Sequence, residues 1–205
     1  MLVRQALEAQ KIWNPDARID TRKIESAIVP ELVRELFAHY PYKILLTGFM
    51  GAGKSTVGKI LAGKLGFAFV DLDDEIVARA GRAIPEIFAN VGESGFRALE
   101  RETADAVLSS PGSAIIASGG GFPTLPENRE STRAKNALVF NLAIPLNEAW
   151  QRVHSATHRP LARDFAQTEA LYVSREKIYS DFCDYQVRAD APPESVADAV
   201  VAALT

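Results

Sequence analysis

An apolar run, Lys43-Ile-Leu-Leu-Thr47, leads straight into Gly48-Phe-Met-Gly-Ala-Gly-Lys-Ser55. Apolar residues at helical spacing follow at once, with Val57, Ile60, Leu61 and Leu65 ahead of Gly66. This strand–loop–helix order constrains the chain more than any other feature. The loop fits G-x-x-x-x-G-K-[ST], and each residue type has a chemical reason. Small residues Gly51, Ala52 and Gly53 let backbone N–H groups turn inward around phosphate oxygens with no side chain in the way. The new helix aims its positive end at the same anion. Lys54 reaches the β- and γ-phosphates as a point charge, and Ser55 offers its hydroxyl to Mg²⁺. Gly48, Gly51, Ala52, Gly53, Lys54, Ser55 and Thr56 therefore read as a nucleotide cradle, with ATP and Mg²⁺ as cofactors.

Beyond the loop, short apolar runs alternate with helical periods. Phe67-Ala-Phe-Val70, Ser113-Ala-Ile-Ile-Ala117, Ala137-Leu-Val-Phe140 and Tyr185-Gln-Val187 read as further strands. Helices are expected from Ile76 to Gly81, Ser94 to Leu108, Leu146 to His154, Thr168 to Phe182, and after Pro193. Continuous apolar strands are the kind buried on both faces of a sheet. The alternation predicts an α/β fold, a doubly wound parallel sheet of five strands covered by helices. Ligands in such sheets sit at the carboxyl ends of the strands, where the motifs fall.

The second strand ends in Asp71-Leu-Asp73-Asp74. On an extended chain, alternation points Asp71 and Asp73 to the same side. Asp71 then suits Mg²⁺, through water, and Asp73 suits the hydroxyl that receives the phosphoryl group and gives up its proton. The competing reading makes Asp73 and Asp74 the cap and first turn of a helix. Arg97, near the start of a helix, reads by itself as a solvated charge. Ser118-Gly119-Gly120-Gly121 ends the third strand, and three glycines in a row let backbone approach a ligand closely. A plain turn is the alternative.

The balance of 47% apolar and 24% charged residues suits a globular protein, and a net charge of −3 speaks against a nucleic-acid partner. No apolar run approaches a membrane span, and the basic residues near the start are interrupted by Glu8, Asp16, Asp20 and Glu25, unlike a transit peptide. A single cysteine, Cys183, permits no intrachain disulfide, so a cytoplasmic home is expected, with Cys183 in packing. His154 and His158 lie four apart, yet no third ligand accompanies them at a recognisable spacing, which favours a surface or lid role. Trp150 is expected against the sheet. Residues 1–41 stand apart: Pro15, Pro30 and Pro41 punctuate them, and Ile28, Leu32, Leu36 and Phe37 suit a short amphipathic helix. A helical extension packed on the core or on another subunit is one reading; a regulatory element is the other. A monomer is expected, with oligomerisation through the extension as the alternative.

One family carries these motifs in this order. Gly48–Ser55, Asp71-x-Asp73, Gly-x-x-x-Phe-Arg97, Ser-Gly-Gly-Gly121, Glu127-Asn-Arg129, Arg159-Pro-Leu161 and Arg175-x-x-x-Tyr179 make residues 43–204 resemble shikimate kinase. The resemblance implies a nucleoside-monophosphate-kinase-like fold over residues 42–205 and MgATP-dependent phosphorylation of the 3-hydroxyl of shikimate. It gives Asp73 to the ring hydroxyls, Arg97 and Arg175 to the shikimate carboxylate, and Gly119, Gly120 and Gly121 to the acceptor pocket. It also gives Arg159 to a lid at about 154–166 that covers the phosphates, and Arg152 to the adenine. Guanidinium forks suit a planar carboxylate. Two positions depart: Lys177 stands where the family commonly has proline, and Phe122 where a small residue is usual. Both are expected near the acceptor pocket, which keeps two other readings in view: a kinase of another cyclic or sugar-like acid, and a non-catalytic sensor.

Overall fold

The computed structural model describes residues 42–154 and 164–204, together with Ile28 and Glu31. The strands are β1 (Lys43–Thr47), β2 (Ala68–Asp71), β3 (Ala114–Ala117), β4 (Leu138–Ala143) and β5 (Tyr185–Arg188). Among the described residues from 42 to 204 the helices are α1 (Lys54–Leu65), α2 (Leu72–Ala80), α3 (Ile84–Ser109), α4 (Pro126–Ala134), α5 (Leu146–His154), α6 (Phe165–Phe182) and α7 (Pro193–Ala203), with a 3₁₀ turn at Phe122–Thr124. All pairings are parallel, in the order β2-β3-β1-β4-β5. This is the five-stranded parallel α/β sheet that the sequence predicts.

β1 shows why its run is apolar throughout. Ile44 and Leu46 face one core with Val57, Leu61 and Leu65 of α1 and Val196, Val200 and Val201 of α7. Leu45, between them, faces a second core with Ala104, Val107 and Leu108 of α3 and Phe182 of α6. Both faces are covered, so the interior of the strand is apolar and its polar residues fall at the two ends, Lys43, whose Nζ donates to the Gly112 carbonyl at 2.8 Å, and Thr47. Burying each Leu or Ile stabilises the fold by roughly 1.5–3 kcal/mol, and the central strands hold most of them.

Two helical segments escape the sequence pattern. Helical structure already begins at Ile84, and a break at Gly92 (φ 69°, ψ −174°) divides α3 into two stretches. Ile87 of the first stretch, Phe96 of the second and Ile76 of α2 make a small third core. α4 has no apolar face: its buried residues are Asn128 and Thr132. Asn128 Nδ2 donates to the Phe122 carbonyl at 3.0 Å, Thr132 Oγ1 to the Asn128 carbonyl at 2.7 Å, and Ser131 hydrogen-bonds Asp105 of α3. Periodicity of apolar residues cannot reveal a helix held by polar contacts. The bounds elsewhere shift by a few residues: α6 starts at Phe165, where Asp164 accepts from the Ala166 N–H at 3.0 Å, rather than at Thr168.

Residues 1–41 lie outside the described residues except for Ile28 and Glu31, both helical and exposed. No helix among the described residues is long and apolar enough to cross a membrane.

Candidate active site

The phosphate loop spans the gap between β1 and α1, and three of its glycines take positive φ: 139° at Gly48, 81° at Gly51 and 82° at Gly53. Its neighbours demand glycine as well. A Cβ on Gly48 would lie 2.6 Å from the Leu142 carbonyl oxygen of β4, and one on Gly51 2.9 Å from that of Ala149 on α5. Gly53 precedes α1 with no side-chain cap, so the first N–H groups of that helix face the loop, the arrangement that binds anions. Lys54 Nζ folds back over the loop and donates to the carbonyls of Gly48 at 2.8 Å and Phe49 at 3.1 Å. Ala52 is buried beneath it and Thr56 is exposed on the first turn of α1.

Ser55 Oγ donates to Asp71 Oδ2 at 2.5 Å, which joins the two residues expected to hold Mg²⁺. Their convergence of hydroxyl and carboxylate oxygen, beside the loop, is the hard donor set that Mg²⁺ takes. The local geometry of Asp71 and Asp73 differs from the expectation. β2 stops at Asp71, and Asp73 sits in the first turn of α2, not on an extended chain. Asp71 itself is the helix cap: its Oδ1 accepts from the Asp73 N–H at 3.1 Å. The two carboxylates therefore address different partners, Asp71 turning to Ser55 and Asp73 to the end of β3.

There the glycine triplet is a meeting point. A Cβ on Gly119 would lie 3.1 Å from both Asp73 Oδ1 and Glu100 Oε1, and one on Gly121 2.7 Å from Arg97 Nη2. A Cβ on Gly120 would lie 3.7 Å from the Met50 N of the phosphate loop and 3.8 Å from Arg175 Nη1. Arg175 Nη1 and Tyr179 OH both donate to the Gly120 carbonyl, at 3.3 and 2.6 Å. Segments far apart in sequence thus bring Asp73, Arg97 and Arg175 around one backbone turn that also touches the phosphate loop. Arg97 is three-quarters or more buried along its side chain, not the solvated charge that its own position suggests.

The sequence reading passes over Glu100. It is 1% exposed, on the same side of α3 as Phe96, and accepts from Arg97 Nη1 at 2.8 Å. Burial raises its pKa, the Arg97 guanidinium works against that rise, and the neighbouring Asp73 charge adds to it. Its i+3 spacing from Arg97 is the available signal. Glu100 holds one edge of the guanidinium, and Nη2, the nitrogen nearest Gly121, makes a longer contact at 3.4 Å with the exposed Glu93, which an anionic ligand can displace.

The family model described as shikimate kinase matches residues 50–205. The chain belongs to the shikimate kinase family. A shikimate kinase from Geobacter metallireducens is 43% identical over 165 residues, 79% of this chain and 89% of that protein. One from Halorhodospira halophila is 40% identical over 173 residues, covering 82% and 97%. Among solved structures, shikimate kinase from Acinetobacter baumannii in complex with shikimate superposes with a TM-score of 0.77 at 31% identity, covering 83% of this chain and 96% of that one.

Two residues depart from the shikimate kinase pattern. Phe122 turns inward, fully buried in the second core with Leu72, Val139 and Phe182. Lys177 lies on the outer side of α6, 84% exposed, paired with Asp181 at 3.1 Å. Phe122 thus lies beside the glycine turn as expected, its N–H donating to the Gly119 carbonyl at 3.1 Å, but its side chain is directed into the core; Lys177 makes its ion pair with Asp181 instead. Arg152 Nη1 donates to the carbonyls of Gly51 at 3.3 Å and Ala189 at 3.0 Å, so it ties α5 to the phosphate loop and to the end of β5. Arg159 and His158 lie outside the described residues, as does most of the lid segment. Trp150 borders the first core, stacks on His154 with centroids 4.9 Å apart and meets Phe165 edge-on at 5.4 Å. Cys183 is half-buried against the second core, where burial pushes its thiol pKa up, as a packing role requires. No group of three or more His, Cys, Asp or Glu that could hold a metal occurs among the described residues.

Gly121 offers a clean test of the Arg97 placement. Its φ of −91° is ordinary for any residue, so Gly121→Ala adds no backbone strain. The added methyl would instead displace the Arg97 guanidinium, which lies 2.7–3.1 Å from it. The expected result is a rise of at least about 10-fold in the KM for the acid acceptor, the size of a charge-assisted hydrogen bond. The KM for ATP should stay within about twofold in steady-state assays, while a thermal melt should show some loss of stability, because the displaced guanidinium is the partner of the buried Glu100 carboxylate.

Proposed function

We propose that this chain catalyses ATP-dependent phosphorylation of the 3-hydroxyl of shikimate, giving shikimate 3-phosphate and ADP. The observation that carries the reading is the single backbone turn, Gly119–Gly121, around which a carboxylate and two guanidinium groups gather beside the phosphate loop. A cyclic acid placed there has Arg97 and Arg175 for its carboxylate, Asp73 for its ring hydroxyls and the loop for the incoming phosphate. Lys177 and Phe122, which kept another acid acceptor in view, point elsewhere.

Phosphoryl transfer has a loose transition state, so the protein mainly positions groups and neutralises charge. In this reading Gly48, Gly51, Ala52, Gly53 and Thr56 shape the cradle, and Lys54 exchanges its two carbonyl contacts for β- and γ-phosphate oxygens. Ser55 and Asp71 would hold Mg²⁺, which supplies further neutralisation of the phosphates. Asp73 orients the 3-hydroxyl in line with the γ-phosphorus and takes its proton as the new bond forms. Arg152 flanks the adenine from its place between the loop and β5. Arg159 reaches over the phosphates from a lid at 154–166 that excludes water. The catalytic unit is residues 42–205 of one chain in the cytoplasm, with 1–41 as a helical extension; the lone cysteine supports a reducing compartment.

The test is ADP release with MgATP in the presence of shikimate, quinate, gluconate or no acceptor. Release with shikimate alone is expected. Release with gluconate or quinate and not shikimate would move the chain to another acid, and silence with all three would leave a sensor.

A further inference from the structure

We propose that Tyr179 is a positioning residue for the acceptor, its hydroxyl fixing the Gly120 carbonyl and, through that carbonyl, the Arg175 guanidinium. The inference rests on the function proposed above for the identity of the acceptor. It is carried by an asymmetry in the glycine turn. The Gly119 carbonyl accepts from the Phe122 N–H at 3.1 Å, and the Gly121 carbonyl accepts from the Thr124 N–H at 3.0 Å and the Thr124 hydroxyl at 2.6 Å. Those two are held from within the turn. The Gly120 carbonyl between them is held from α6, by Tyr179 OH at 2.6 Å and Arg175 Nη1 at 3.3 Å.

Tyr179 and Arg175 are one helical turn apart, so both reach the same oxygen from one face of α6. A carbonyl has two lone pairs and can take both donors. The shorter bond belongs to the tyrosine. It sets the direction of the Gly120 carbonyl, and Arg175 occupies the remaining lone pair with one nitrogen while its guanidinium also lies within hydrogen-bonding reach of the Tyr179 hydroxyl itself. Because Gly120 also abuts Met50 N and the Gly48 carbonyl, a rotation of its peptide would be felt on the loop side as well.

Burial pushes the Tyr179 phenol up to about 12, with the Arg175 guanidinium opposing the rise, so the group remains a donor across the pH range of ordinary assays. The ring is not held by packing on all sides. Together with Phe49, Asn141 and Tyr172 it borders a cavity of about 410 Å³ between α6 and the end of β4. The hydroxyl bond therefore contributes to holding the ring in place, beyond the buried ring itself.

Tyr179→Phe keeps the ring and removes only the donor. The expected result is a rise of about fivefold in both the KM and the calorimetric Kd for shikimate, the size of one lost hydrogen bond. The KM for ATP should stay within about twofold, and kcat should fall less than the shikimate KM rises. In a double-mutant cycle with Arg175→Lys, the combined loss should be smaller than the product of the single losses, since both act on one carbonyl. An unmoved shikimate KM, equal rises for shikimate and ATP, or losses that multiply would each overturn the inference. Wild-type protein that releases no ADP with shikimate defeats the functional reading itself. Active wild type beside an indifferent Tyr179→Phe variant defeats this inference alone.

Discussion

Replacing Lys54 with alanine should lower turnover by at least about 100-fold, the loss typical of removing one group aimed at transition-state charge. Lys54 Nζ lies over the loop, donating to the Gly48 and Phe49 carbonyls at 2.8 and 3.1 Å. Both contacts are to oxygens at the mouth of the cradle, so an incoming phosphate meets an ammonium already in position. The replacement leaves the carbonyls of the buried Gly48 and Phe49 without this donor, which costs about 1–3 kcal/mol each at most and leaves both hydrophobic cores intact, so the fold should survive. A fall in kcat without loss of the folded far-UV spectrum is the expected pattern. Lys54→Arg should not restore the rate, because a planar fork cannot reproduce a point charge among tightly turned carbonyls. A Lys54→Ala protein with near-normal kcat would mean that the transferring phosphate meets its cation elsewhere.

How far the sequence speaks depends on whether a feature is local. The β1–loop–α1 unit is legible because strand burial on both faces, positive-φ glycines and a new helix all occur within consecutive residues. β1 to β4 are legible for the same reason, each being a short run with a side chain against each core, whereas β5, at the sheet edge, buries only Val187 in the first core. The role of Asp71 as a cap is local too, yet the extended-chain reading misses it, because β2 ends at Asp71, two residues before the Asp73 that alternation needs. Glu100 and the partnership of Arg97 with Gly121 are different. They depend on α3 crossing the end of β3, and nothing within α3 says which turn of β3 it meets. Arg97 by itself reads as a surface charge, and only the ordered set of motifs draws it into the site. The same holds for Arg175, 55 residues from the carbonyl that it contacts. Polar helix packing at α4 leaves no apolar signal at all.

Asp73→Ala should also lower turnover at least about 100-fold, and for a reason separable from that of Lys54. The Asp73 carboxylate stands at the Gly119 end of the turn, with the buried Glu100 carboxylate as near to the same glycine. Two carboxylates so close favour a neighbour that brings hydroxyl donors, and they divide the work. Glu100 is bound to Arg97, while Asp73 sits on the first turn of α2, nearer to Asp71 and thus to the phosphate side. A loose transition state asks for little early deprotonation, so orientation of the hydroxyl should account for most of the effect. Asp73→Asn retains an acceptor oxygen and should therefore keep more activity than Asp73→Ala, with the KM for ATP unchanged in both. The measurement is kcat for the two variants with shikimate at saturation. If alanine and asparagine were equally poor, proton acceptance would be the larger share. Near-normal turnover in Asp73→Ala would remove the residue from the reaction, and the hydroxyl would have to be oriented by another group on the glycine turn.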